Sequence, residues 1–182
     1  MSDICVFLGA ASGNNPVFSD AIKKLGTTLA QHEHRVVYGG SKTGLMGILA
    51  DSAMAAGGLV TGVTVQALKD KEFHHEHLTQ LHITEDMNER KQMMNELSDA
   101  FIIFPGGCGT YDEFFDVFTW AKLGFHNKPI IILNLNNYYQ PLIQLLQHTE
   151  QQGFMNSWDM ELITIADSID YCLEVLNKTT EN

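Results

Sequence analysis

The chain has 182 residues, 45% hydrophobic and 18% charged, the profile of a globular protein large enough to bury a core. Its formal net charge of -11 argues against long-range attraction to nucleic acid or to an anionic membrane, so any phosphate must be held locally by backbone amides and a few cations. Cys5, Cys108 and Cys172 form no CxxC pair, no apolar run approaches the ~18 residues of a membrane span, and the first apolar run is short for a signal peptide and lacks a basic flank; the expectation is a cytoplasmic chain with neither disulfide framework nor metal centre.

In chain order, Ile4–Gly9 reads as a strand that ends in the small-residue loop Gly9-Ala10-Ala11-Ser12-Gly13. Asn14-Asn15 and Pro16 then mark a helix over Pro16–His32, which Gly26 interrupts. The strand Arg35–Tyr38 runs into Gly39-Gly40-Ser41-Lys42-Thr43-Gly44-Leu45-Met46-Gly47, where a helix over Leu45–Ala56 begins. A strand over Leu59–Val65 precedes Lys69–His77, a polar stretch read as an exposed loop. His74-His75-Glu76-His77 within it lacks helical i, i+4 presentation and reads as solvated rather than metal-binding. Leu81–Thr84 is a strand, Asp86–Leu97 a helix and Ala100–Phe104 a strand. The last of these feeds Pro105-Gly106-Gly107-Cys108-Gly109-Thr110-Tyr111-Asp112-Glu113 and a helix over Thr110–Gly124. A strand over Ile130–Leu135, a helix over Tyr138–Gln152, a strand over Leu162–Ile165 and a helix over Ser168–Asn177 capped by Asp167 complete the chain, with residues 179–182 expected to fray.

This alternation predicts an α/β fold, a doubly wound parallel sheet flanked by helices, in a single domain spanning 1–182. Phe101–Phe104 and Ile130–Leu133 are apolar throughout, as strands buried on both faces are. Ligands of such sheets sit at the carboxyl ends of the strands, and three of those ends carry glycine here. Tight strand-to-helix turns need glycine in any case, but three such loops together favour a phosphate-bearing or nucleotide ligand. Neither standard phosphate motif is present. Lys42 precedes Gly44 where a P-loop lysine would follow its glycine, and no GxGxxG follows the first strand.

Two charged residues stand out. On the helix Asp86–Leu97, Met87, Met93, Met94 and Leu97 form an apolar arc with Arg90 in its middle, and an arginine there needs an anion. That anion is either a buried carboxylate such as Glu113 or Asp116, or a substrate. Lys91 lies at the edge of the arc, as a rim cation would. On the next helix Glu113 heads the row of Val117, Trp120 and Gly124 and so points along the buried flank. Acids favour helix N-termini through the dipole alone, so Asp112 and Glu113 are either helix stabilisers or, given the preceding glycine loop, part of a site. Cys108 lies where thiol pKa values fall, but no histidine base is near it in sequence.

These residues resemble a known family. Met87-Asn88-Glu89-Arg90-Lys91, the segment from Pro105 to Glu113, Thr119-Trp120-Ala121-Lys122-Leu123-Gly124 and the upstream Tyr38–Gly47 stretch are similar to the LONELY GUY (LOG) family of cytokinin riboside 5′-monophosphate phosphoribohydrolases, many of them labelled lysine decarboxylase-like. The resemblance runs from Cys5 to about Tyr139. It implies a Rossmann-like fold, a homodimer or assembly of dimers with the site near the subunit interface, and hydrolysis of a nucleoside 5′-monophosphate to free base and ribose 5-phosphate without a cofactor. It implies Arg90 and Glu113 as the catalytic pair. Substrate contacts are implied at Gly39, Gly40, Gly44, Met46, Gly47, Met87, Lys91, Gly106, Gly107, Gly109 and Thr110, and Ser12 of the first loop joins them as a phosphate-side candidate. Ala10, Val65, Asn88 and Cys108 depart from the usual pattern, which bears on the choice of base. A non-catalytic nucleotide carrier on the same fold is the alternative. A decarboxylase would need a lysine holding pyridoxal phosphate, for which the chain offers no convincing candidate.

Overall fold

The computed structural model describes residues 1–70 and 73–180; the end of the tail expected to fray lies outside the described residues. Seven strands form one parallel sheet: β1 (Asp3–Phe7), β2 (Arg35–Tyr38), β3 (Val60–Val65), β4 (Gln80–Thr84), β5 (Ala100–Ile103), β6 (Ile130–Leu133) and β7 (Ile163–Ala166). Their spatial order is β4-β3-β2-β1-β5-β6-β7. The chain winds outward from β1 to β4, returns to pair β5 with β1, and winds outward again. The order therefore reverses between β1 and β5, with Ile4 beside Ala100 and Phe7 beside Ile103.

Burial on both faces follows from the strand sequences. In β1, Ile4 and Val6 face one apolar layer with α1 (Val17–Gln31), α2 (Gly44–Ala55) and α8 (Ile169–Thr180). Cys5 and Phe7 face the other, with α4 (Met87–Glu96), α5 (Cys108–Lys122) and α6 (Gln140–Gln151). Gly26 does not break α1. A Cβ there would lie 2.3 Å from Ser52 Oγ and 2.7 Å from the Leu49 carbonyl, so the missing side chain lets α1 and α2 close on each other.

Several expected boundaries move for local reasons. Leu135 opens a 3-10 turn over Leu135–Asn137 rather than extending β6, because Asn136 and Asn137 take left-handed φ values of 51° and 57°. The short helices α3 (Gln66–Lys69) and α7 (Ser157–Glu161) were not expected, being too short to show a period. Neither expected helix cap forms as read. Pro16 itself occupies the N-cap of α1, with Asn15 Oδ1 accepting from Val17 N at 3.1 Å. At α8 it is Ser168, not Asp167, whose Oγ accepts from Tyr171 N. No helix among the described residues is long and apolar enough to cross a membrane.

Candidate active site

The carboxyl ends of β1, β2 and β5 open onto one cavity of about 680 Å³, within the ~300–1,000 Å³ typical of small-molecule sites. It lies at the switch in strand order, where Gly9 N donates to the Pro105 carbonyl and ties the first loop to the third. Gly106, Gly107, Gly109 and Thr110 form one wall, Ser12 and Gly13 the next, and Gly39, Ser41 and Thr43 a third. The N-termini of α2 and α5 both start at this cavity, after Thr43 and Gly107 respectively. First-turn N–H groups have no acceptor within their own helix, and a helix N-terminus carries a partial positive charge, so each of these two ends is suited to an anion.

Arg90 and Glu113 both line the cavity floor and are 4% and 5% exposed. Arg90 is placed by α4, whose N-cap Asp86 accepts from the N–H groups of Asn88 and Glu89. Its Nη1 donates to Glu113 Oε1 at 2.9 Å and its Nε to the Val63 carbonyl at 2.8 Å. Gly39 makes room for it, since a Cβ there would lie 2.4 Å from Arg90 Nη2. The two roles left open for Arg90 are thus compatible: it pairs with a buried carboxylate and also faces the ligand space. Burial lifts the Glu113 carboxyl above its ordinary value, against the opposing pull of Arg90.

Ser12, Gly39, Met46, Met87, Arg90, Gly106, Gly107, Gly109, Thr110 and Glu113 all line the cavity. Gly40, Gly44, Gly47 and Lys91 do not. A Cβ at Gly44 would meet the Ala10 carbonyl oxygen at 2.0 Å, and one at Gly47 the Lys42 carbonyl oxygen at 2.2 Å. Gly40 has φ 75° and packs against Leu81 and Thr64. These three glycines let the chain pack closely. Lys91 instead bridges Asp112 at 3.1 Å and Asp116 at 3.4 Å. Burial alone would lower its pKa, but the two carboxylates outweigh it and hold the ammonium above its ordinary value.

Within the segment read as an exposed loop, Phe73, Glu76 and His77 are exposed as expected, but the stretch 73–77 is also tied down. Lys42 N donates to the Phe73 carbonyl and His75 N to the Gly40 carbonyl. His75 is buried, its Nε2 lying 3.0 Å from Asp51 Oδ1 while its Nδ1 accepts from His77 N. This strap brings Phe73 to the cavity, which Leu68 and Met87 also line, and the three partly exposed side chains make up an apolar lip. Nothing local in the sequence signalled it, because Asp51 is far from His75 in the chain. Tyr138 was also missed. It lines the cavity from the β6–α6 connection, with its hydroxyl on the Gly106 carbonyl.

Residues 46–176 match a family model described as "Possible lysine decarboxylase". The chain is 41% identical over 168 residues to a cytokinin riboside 5′-monophosphate phosphoribohydrolase of Rhodococcoides fascians, covering 92% of this chain and 85% of that protein. It is 38% identical over 165 residues to an Arabidopsis thaliana protein of the same name, covering 91% and 78%. Among solved structures, a molybdenum cofactor binding protein from Rippkaea orientalis superposes with a TM-score of 0.75 at 21% identity, covering 98% of this chain and 97% of that one. The Moco carrier protein of Chlamydomonas reinhardtii does so with a TM-score of 0.71 at 16% identity, covering 97% and 96%. At such identities these likenesses show the shared fold.

Proposed function

This chain belongs to the LONELY GUY (LOG) family of cytokinin riboside 5′-monophosphate phosphoribohydrolases, and from that membership we propose that its reaction is hydrolysis of the N-glycosidic bond of a nucleoside 5′-monophosphate, yielding free base and ribose 5-phosphate. The observation that carries the reading is the buried Arg90–Glu113 pair, which faces the same cavity as the glycine loop and helix N-termini.

The amides of the glycine loop and the first turn of α5 hold the 5′-phosphate. The apolar lip of Leu68, Phe73 and Met87 receives the base. Cleavage of the C1′–N bond develops oxocarbenium-like charge on the ribose, as in glycoside hydrolysis. Glu113, as carboxylate, stabilises that charge and orients the ribose hydroxyls or the attacking water. Arg90 fixes the Glu113 carboxylate, and its guanidinium is already oriented by the Val63 carbonyl, so little reorganisation is needed as charge develops. The apolar lip favours an N6-prenylated adenine over adenine itself. A homodimer or assembly of dimers, in the cytoplasm, completes the proposal.

Side-by-side assays of AMP and isopentenyl-AMP, with free base separated by chromatography, test it. Release of base and ribose 5-phosphate from at least the prenylated nucleotide is expected. Retention of both nucleotides intact under saturating enzyme would leave a carrier as the reading.

A further inference from the structure

We propose that Tyr138 is a positioning residue for the phosphate end of the cavity, its hydroxyl turning the Gly106–Gly107 peptide so that the N–H groups of the glycine loop face the anion. The inference rests on the reading of the cavity as a nucleoside 5′-monophosphate site. Four successive carbonyls around the loop are held by donors. The Phe104 carbonyl accepts from Tyr139 Oη at 2.7 Å and the Pro105 carbonyl from Gly9 N at 3.2 Å. The Gly106 carbonyl accepts from Tyr138 Oη at 2.5 Å and the Gly107 carbonyl from Tyr111 N at 3.1 Å.

In a planar trans peptide C=O and N–H point in opposite directions. Drawing the Gly106 carbonyl toward Tyr138 therefore aims the Gly107 N–H away from it, and Gly107 lines the cavity. The next N–H groups, of Cys108, Gly109 and Thr110, belong to the first turn of α5 and have no acceptor within the helix. Loss of the Tyr138 bond would free the peptide that leads into this donor row. Its single hydroxyl proton is committed to Gly106, so Tyr138 acts through the loop rather than by donating to phosphate.

Two features fix the tyrosine itself. Its ring packs edge-on against Phe18, with centroids 5.6 Å apart and planes at 78°. The chain delivers it through the left-handed pair Asn136 and Asn137, a conformation that asparagine tolerates better than most residues. Burial, with the neighbouring Tyr111 hydroxyl at 3.4 Å, pushes the Tyr138 phenol up to about 12, so it remains a donor at neutral pH.

Calorimetric titration with ribose 5-phosphate and, separately, with adenine tests the role, since neither probe carries an N-glycosidic bond. Tyr138→Phe keeps the ring and removes only the donor. Its affinity for ribose 5-phosphate should fall about tenfold, the scale of one lost hydrogen bond to a half-buried carbonyl, while its affinity for adenine stays at the wild-type value. Tyr111→Phe, which leaves the Tyr138–Gly106 bond in place, should keep both. Full retention of ribose 5-phosphate affinity in Tyr138→Phe, or an equal loss for both probes, overturns the positioning role. Failure of the wild-type protein to bind ribose 5-phosphate would instead overturn the phosphate site on which it rests.

Discussion

Arg90 and Glu113 form an ion pair almost wholly out of water, and this decides how the site responds to substitution. Such a pair adds little net stability, yet removing one partner strands the other charge, at a cost of about 3–5 kcal/mol. Glu113→Ala should therefore unfold at markedly lower denaturant concentration than wild type, whereas Glu113→Gln, which keeps an acceptor for Arg90, should lose much less. Equal midpoints for the two variants would contradict this. The raised Glu113 pKa carries its own sign. The folded chain holds that proton more tightly than the unfolded chain does, so the linked stability is present at low pH and is lost as pH rises above the ordinary value of 4.5. Catalysis by the carboxylate then requires the acid limb of kcat/KM to lie above 4.5, and Glu113→Gln should abolish that limb. Both residues were legible in the sequence, one as a charge inside an apolar arc and the other on the buried flank of a helix after glycines. Gly40, Gly44 and Gly47 were not separable from Gly39 and Gly106. A glycine that only lets neighbouring atoms approach and one that also lines a cavity look identical in one dimension.

At the level of elements, α4 aims Arg90 from a cap one turn away. Asp86→Ala should cost about 1 kcal/mol of stability and also lower kcat/KM, because the turn it anchors carries the guanidinium. Denaturation and initial-rate measurements on the one variant check both, and a stability loss with unchanged kcat/KM would detach the cap from the site. The strap hung from His75 and Asp51 places Phe73 on the lip proposed to receive the base. His75→Ala should raise KM more for a prenylated nucleotide than for AMP, as measured in parallel saturation curves. All seven strands could be read, the central ones as apolar runs bounded by glycine and polar residues and the edge strands β4 and β7 as short mixed runs. The strap could not, because it depends on a side chain from α2 that periodicity does not connect to it. The capping box of α7, in which Asn156 and Asp159 each accept from the other's N–H, was written in the sequence but on an element too short to register.

For the molecule as a whole, the reversal of strand order explains why the loops after β1 and β5, distant in the chain, share one cavity. The net charge of -11 opposes the approach of an anionic substrate, so the proposed phosphate cradle has to act locally against a repulsive field. Raising ionic strength from about 0.02 to 0.15 M should screen that repulsion and raise kcat/KM by roughly twofold. A steep fall with salt would mean that long-range attraction, not the backbone cradle, delivers the substrate. The sharpest question is whether Glu113 carries the bond cleavage. It is answered by following base release from isopentenyl-AMP by wild type and by Glu113→Gln while measuring the nucleotide affinity of each. The expected result is near-wild-type affinity with turnover reduced by about 10²–10³ in the variant. Turnover at the wild-type rate in a properly folded Glu113→Gln would contradict the assignment.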